Sequence, residues 1–365
     1  MDLVIDAIMG GKLWAIIAVL IIAIAGAAAA VTFIKPDQGT VDPGTTDDPT
    51  EPVYPKGISY DAKTNTLKSN TSITWSYVDM LVPFVDQTAV ESEGKTLTLS
   101  PSYYKVTAKG ETFDQIVDGT VTKSLGWDYH HGNDVWRVDI EYSIDIRELA
   151  KIMIENREFN NKRVYKFADL PNQVYVNDTY KSIASQLKSI YQSYGGDVNN
   201  QQDYADFLIA FAEDPLGIKY PLRIDGKTDY GIWGVSEYWA NSLETAFFGV
   251  GDCDDSAAAG CAVLKAAGFR VAIVGIPGHV ASAVVLDSFE ERDISEYADI
   301  VKGSSVFKVG KGTSVFGDDP ETIYYGVDTT SGQCPVGYMP KGSIESLGKD
   351  TLYGWGIAGF YPVKD

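Results

Sequence analysis

The spacing of apolar and polar residues divides this chain into stretches of different character. Leu13 to Ile34 reads LWAIIAVLIIAIAGAAAAVTFI, with no charged residue and Thr32 as its only polar side chain. At a rise of about 1.5 Å per residue it reaches about 33 Å, enough to cross a hydrocarbon core of about 30 Å. Lys12 and Lys35 bracket the run, and Trp14 suits a membrane interface. The expectation is an uncleaved transmembrane helix over 13–34. The run is long for the apolar part of a secretory signal, although its alanines offer an A-x-A site. The positive charge before the span places residues 1–12 in the cytoplasm. The expected location is therefore the cell membrane, single-pass, with the main body extracytoplasmic. The triplets beginning at Asn70 and Asn177 are glycosylation acceptors that agree with export.

Residues 35–55 are expected to be a linker. Pro36 to Pro55 (PDQGTVDPGTTDDPTEPVYP) is proline, threonine and acid with almost nothing to bury, which makes an extended, solvated spacer. Over 56–176 the rhythm changes to alternation. Ser72–Val78 (SITWSYV), Lys95–Leu99 (KTLTL), Tyr103–Ala108 (YYKVTA) and Val135–Ile144 (VWRVDIEYSI) carry β-branched and aromatic residues between turn signals, so each predicts a strand. A short helix is expected over Ile146–Glu155. This stretch is a β-rich domain with no chemistry assigned to it. Its DYHHGND, Asp128 to Asp134, pairs His130 with His131, but neighbours on a strand point to opposite faces. A polar surface turn explains them better than a metal site.

Helical spacing opens the last region, 177–365. Ile183, Leu187, Ile190 and Tyr194 share one face, as do Tyr204, Phe207, Leu208 and Phe211 in the next segment. ANSLETAFFGVG predicts a further short helix, with Asn241 as N-cap and Glu244 at the capping-box position. The same logic applies to GDCDDSAAAGCAVLKAAG. Asp252 caps, Asp255 stands three residues on, Lys265 falls in the last turn and Gly268 supplies the stop. Cys253 then becomes the first residue of a helix. The free N–H groups and the positive dipole end favour negative charge on its sulfur, while Asp252, Asp254 and Asp255 oppose it.

Two apolar runs flank Pro277-Gly278 in FRVAIVGIPGHVASAVVLD, so a hairpin is expected with His279 opening its second strand. ETIYYGVDTTSG predicts another strand, ending at Asp328. A thiol nucleophile needs a base, and the base needs an acceptor that fixes its tautomer. Cys253, His279 and Asp328 supply these parts in order and are the candidate catalytic residues. Cys261 lies about 12 Å along the helix from Cys253, beyond the limit of about 7 Å for a disulfide. A Cys261–Cys334 pair is left open.

These motifs resemble the transglutaminase-like superfamily, relatives of papain-type cysteine proteases. The matching residues are Gly251, Cys253 and Asp255 of a G-x-C-x-D helix start, Gly278 and His279 of a G-H strand, and Asp328 followed by Thr329 and Thr330. The lead-in EYWANSLETAFFGVGDCDD is similar to that of bacterial and archaeal members. The resemblance covers about residues 178–340. It implies an α+β fold: helices packed on an antiparallel sheet in a papain/transglutaminase-like core, here preceded by the β-rich domain and the transmembrane helix. It also implies a Cys-His-Asp triad and an oxyanion site made by the nucleophile's backbone N–H and a second donor upstream. Trp239 has the position for that donor, although a buried core tryptophan explains it better. The chain departs from the family after the histidine, where an aromatic residue is common and His279-Val-Ala-Ser-Ala stands instead.

Composition narrows the partners. Lys+Arg number 30 against 50 Asp+Glu, a balance that argues against nucleic acid, since phosphates require clustered cations. The expected partners are a protein or peptide substrate and, through the N-terminal helix, the membrane. No cofactor and no metal is assigned. Asp252, Asp254 and Asp255 can be imagined around Ca²⁺, which some transglutaminases need, but the EF-hand spacing is missing and helix capping accounts for most of that charge. Two functions compete: a thiol acyl-transfer enzyme acting on amide or peptide bonds, and a non-catalytic surface binding or adhesion protein that keeps the same fold.

Overall fold

The computed structural model describes residues 52–162, 166–213, 217–219, 229–276, 278–292, 305–306, 308–309, 322–330, 332, 334–339 and 359–364. The apolar run 13–34 and most of the acidic linker lie outside the described residues. Among the described residues no helix is long and apolar enough to cross a membrane. The fold is mixed α+β, with antiparallel sheets and helices.

Strands β1 (Ile58–Asp61), β2 (Thr66–Asp79), β3 (Val90–Thr98), β4 (Ser102–Ala108) and β5 (Glu111–Val117) form one antiparallel sheet in the order β1-β2-β4-β5, with β3 also on β2. Leu67, Trp75, Val106 and Val117 form part of its apolar core. The β4–β5 turn holds Lys109 and Gly110 at φ 55 and 81, the pair of positive angles that a tight two-residue hairpin requires. Strands β6 (Thr120–His131) and β7 (Asp134–Asp145) make a separate two-stranded hairpin. On β7 Trp136, Val138, Ile140, Tyr142 and Ile144 are buried and their neighbours exposed, the period-2 pattern of a half-buried strand.

Helix α1 (Ile146–Asn161) follows β7 directly, capped by Asp145, whose side chain accepts from Glu148 N–H. It runs further than the sequence suggests because Asn156 and Asn160, polar residues on its last turns, are buried and hydrogen-bonded. Helix α2 (Asp178–Ser193), capped by Asn177, lays Ile183, Leu187 and Tyr191 into the core that also receives β7. Helices α3 (Gln201–Ile209), α4 (Tyr230–Trp233) and α5 (Ser242–Phe248) precede α6 (Cys253–Ala266). Every α6 residue from Asp254 to Leu264 is buried, so the helix is enclosed on all sides. Alanine and glycine make this close packing possible. A Cβ on Gly260 would stand 2.6 Å from Ile209 Cδ1.

The second sheet contains β8 (Val271–Ile276), β9 (His279–Val285), β10 (Ser305–Val306), β11 (Lys308–Val309), β12 (Tyr324–Val327), β13 (Tyr338–Met339) and β14 (Gly359–Pro362). Its order is β10-β13-β12-β9-β8-β14, with β11 also on β12. Among the described residues only the short β12–β13 pair within it is parallel. Ser282 Oγ on β9 donates to Ala257 O on α6 at 2.9 Å, which ties the buried helix to the sheet.

Candidate active site

Three elements end at one place. Asp252 is extended (φ −94, ψ −153) and Cys253 begins α6 half-buried. Gly278, at φ 73, turns the chain so that His279 opens β9. Strand β12 pairs antiparallel with β9, so its end, and Asp328 just after it, comes beside the start of β9. His279 Nε2 lies 3.2 Å from Asp328 Oδ2. The Cys253 side chain is near enough to the same ring to contribute to its electrostatics. All three sequence-derived site residues are therefore adjacent.

The electrostatics of the pair follow from its surroundings. Burial works against a charged imidazole at His279, but the hydrogen bonds and charges of Asp328 and Cys253 outweigh it and lift the group to about 10. Burial likewise opposes charge on fully enclosed Asp328. The His279 bond and charge, with two bonds from Thr330, hold its carboxyl below the usual range. Those two bonds are from Thr330 N–H and Oγ1–H to Asp328 Oδ1, at 3.0 and 2.6 Å. The histidine thus keeps its proton at neutral pH, against a fixed carboxylate.

The aspartates beside Cys253 behave differently from what their formal charge suggests. Burial first, and the charge of Asp252 second, push Asp254 and Asp255 well above the usual carboxylate range. The same causes lift Asp229 to about 8. These upward shifts lessen the negative charge that the sequence places around the sulfur. Asp255 also does the work expected of a capping-box residue. Its Oδ2 accepts from Asp252 N–H at 3.4 Å, and its Oδ1 accepts from Ala240 N–H at 2.7 Å, which joins the preceding segment to the helix start.

Side chains outside the motif fix the register of the site. Ser256 Oγ lies 2.7 Å from Asp252 O and 2.8 Å from Thr329 Oγ1, linking the nucleophile helix to the residue after Asp328. Asn156 and Asn160, one turn apart on α1, grip the Trp239 backbone: both side-chain amides donate to Trp239 O, and Asn160 Oδ1 accepts from Trp239 N–H. Trp239 Nε1 donates to Glu237 at 3.1 Å, so this indole is a buried, anchored residue and its N–H is already bonded. Glu244 accepts from Asn241 N–H, Asn156 Nδ2 and Tyr238 OH at 2.8, 2.6 and 2.9 Å, and burial raises it to about 7. Sequence reasoning missed Asp229, Asn156, Asn160 and Ser256. The asparagines carry a faint signal, being polar on a helix face otherwise read as apolar; Asp229 and Ser256 carry none.

The remaining candidates separate from the site. His131 stacks on Trp136 with ring centroids 4.5 Å apart, at the end of β6 beside the hairpin turn. Among the described residues neither it nor His130 joins a group able to hold a metal. Cys261 and Cys334 are buried free thiols, so the pairing left open by the sequence is not made. Two carboxylate-rich groups do bring ligand atoms within 4.8 Å of one another: Asp252, Cys253 and Asp254, and Asp229, Asp252 and Asp255.

Compared with family profiles, curated proteins and solved structures, the chain has no significant match.

Proposed function

We propose that this chain is a membrane-anchored, extracytoplasmic thiol acyl-transfer enzyme of the transglutaminase-like kind, acting on amide or peptide bonds. The observation that carries the proposal is the meeting of Cys253, His279 and Asp328 at the ends of α6, β9 and β12, with Nε2 of His279 on Asp328 and Cys253 near enough to the same ring to affect its charge. The helix-to-hairpin order and the sheet behind it support a papain/transglutaminase-like core. The uncharged run 13–34 supports the anchor, and the acidic spacer supports a body held off the bilayer.

A protonated His279 changes the first step. The reactive form pairs a sulfur anion with the His279 imidazolium, and from it the histidine acts first as an acid. The sulfur adds to the carbonyl carbon of the substrate amide. Backbone N–H groups at the start of α6 face the developing oxyanion. His279 gives its proton to the departing nitrogen, the C–N bond breaks, and a thioester remains on Cys253. Neutral His279 then takes a proton from an incoming water or amine, which attacks the thioester and releases the sulfur. Water gives hydrolysis or deamidation; an amine gives a cross-link. Asp328 holds the ring in place throughout.

The test compares wild type with Cys253→Ala, using amide substrates and a thiol-reactive acylating probe. Turnover and labelling are expected in wild type and absent in the variant. Equal labelling of both, with no turnover that depends on Cys253, refutes the proposal and favours a binding protein that keeps the fold.

A further inference from the structure

Two triplets of the form N-x-S/T, Asn70-Thr71-Ser72 and Asn177-Asp178-Thr179, stand in opposite surroundings. Asn177 is 7% exposed and fully employed. Its Oδ1 caps α2 by accepting from Tyr180 N–H at 3.2 Å, and its Nδ2 donates to Glu148 Oε2 at 2.8 Å. Thr179 is buried too, and its hydroxyl donates to Ser143 O at 2.9 Å. The other triplet is exposed at all three residues. It lies inside β2 where the ladders of that strand break. Strand β1 pairs with β2 only as far as Ser69, β3 leaves its register at Lys68 and resumes at Ile73, and β4 begins its pairing at Trp75. Asn70 N–H donates to Gly57 O at 3.3 Å and Thr71 N–H to Ser69 Oγ at 3.4 Å, so the backbone of the break is held locally. The Asn70 carboxamide meets solvent, with exposed Lys109 Nζ donating to its Oδ1 at 3.3 Å. Bulges of this kind end pairing and re-aim side chains.

We infer that Asn70 is an N-glycosylation site of the exported chain and that Asn177 is not. The substrate is an oligosaccharide carried on a lipid phosphate, and a membrane transferase supplies the catalysis. Nδ2 of Asn70 attacks C1 of the first sugar, and an N–C bond forms. The C1–O bond to the lipid phosphate breaks, its electron pair leaves on the phosphate, and Nδ2 gives up one proton. The Ser72 hydroxyl, two residues on, completes the acceptor triplet. Sugar on Asn177 is incompatible with the fold, because Nδ2 is enclosed against Glu148 and the same carboxamide caps α2. The folded protein therefore carries its glycan at Asn70. There the glycan also covers the interrupted stretch of β2, where backbone outside a ladder invites a foreign strand. The inference rests on the extracytoplasmic placement proposed above, and not on the catalytic reading.

The experiment uses the full chain, purified from the membranes of the cells that make it. Trypsin cuts after Lys68, Lys95, Lys166 and Lys181, so the triplets fall on separate peptides, 69–95 and 167–181. Peptide 69–95 is expected to carry an added mass that fragments as sugar residues, with Asn70 the modified position. Peptide 167–181 is expected at its unmodified mass. The mass shift is expected to vanish in Asn70→Gln and to persist in Thr71→Ala, which keeps the acceptor pattern. If Asn70→Gln does not fold, Ser72→Ala, an exposed change that removes only a hydroxyl, is expected to lose the shift in its place. A bare 69–95 peptide from wild type overturns the inference. So does sugar on 167–181 of the folded protein, or a shift that survives Ser72→Ala. Protease added to intact cells separates the two ways of failing. Digestion of the body with Asn70 bare removes the glycan alone, whereas a protected body with Asn70 bare removes the extracytoplasmic placement with it.

Discussion

Helices α5 and α6 start with the same device and use it to different ends. Each places an acid three residues after its N-cap: Glu244 after Asn241, and Asp255 after Asp252. At α5 the acid is surrounded by donors from three elements, and the result is a rigid anchor for the segment around Trp239. At α6 the acid satisfies two backbone N–H groups, and its neighbours Asp252 and Asp254 crowd the thiol. The difference teaches that a capping box explains how a helix starts but not why further acids are added to it. The additional acids at α6 stand beside Cys253.

The largest way to break this comparison is at Asp328, which the α5 region has no counterpart for. Asp328→Asn is expected to lower turnover by about 10⁴, the order seen when a triad carboxylate is replaced and the histidine tautomer is lost. Steady-state kinetics beside a melting curve checks it, and an undiminished rate removes Asp328 from the mechanism. Next in size is Glu244→Ala, which leaves Asn156, Asn241 and Tyr238 without their acceptor and is expected to cost about 3 kcal/mol in denaturant unfolding.

Glu244 also makes a pH prediction with a definite sign. Its carboxyl moves from 4.5 when unfolded to about 7 when folded, so the folded state holds the extra proton between those values. Stability therefore falls as pH rises from 4.5 to about 7, by about 3 kcal/mol from this group at about 1.4 kcal/mol per unit. Glu244→Gln is expected to remove that slope, as measured by urea midpoints across the range. His279 runs on a different window. Its raised value means that the stabilising pair with Asp328 is full below about 6.5 and is lost as pH climbs towards about 10.

Smaller effects sharpen the boundary of the site. Ser256→Ala breaks the link between α6 and Thr329 and is expected to cost about 1 kcal/mol, with a larger fall in kcat than in substrate affinity because the triad register loosens. His131→Ala loses one aromatic stack on Trp136, about 0.5–1.5 kcal/mol, with turnover unchanged. A catalytic effect of His131 comparable to that of His279 would contradict the separation of the two histidines.

Much of this site was legible in the sequence because local chemistry wrote it there. Asp252 before an alanine-rich run marks a helix start, Gly278 marks a turn, and a strand of aromatic and β-branched residues leads to Asp328; each signal is carried by a few adjacent residues. The long strand β7 was equally clear, since Trp136 to Ile144 alternate without interruption. What stayed hidden depends on contacts between distant segments. Nothing local says that Asn156 and Asn160 hold Trp239, some eighty positions away, or that Asp229 approaches Asp252 and Asp255. Protonation was hidden for the same reason. GDCDD reads as three negative residues at a helix start until burial shows which acids are pushed towards their neutral form.

The central claim is that Cys253 and His279 act as one charged pair. The most direct measurement is the rate of Cys253 alkylation by iodoacetamide between pH 5 and 9, in metal-free wild type and His279→Ala. Wild type is expected to label rapidly down to about pH 6, and the variant at least about 100-fold more slowly near pH 6–7, converging at high pH where any free thiol ionises. Coincident rate profiles for the two proteins would contradict the pair, and with it the proposed enzyme.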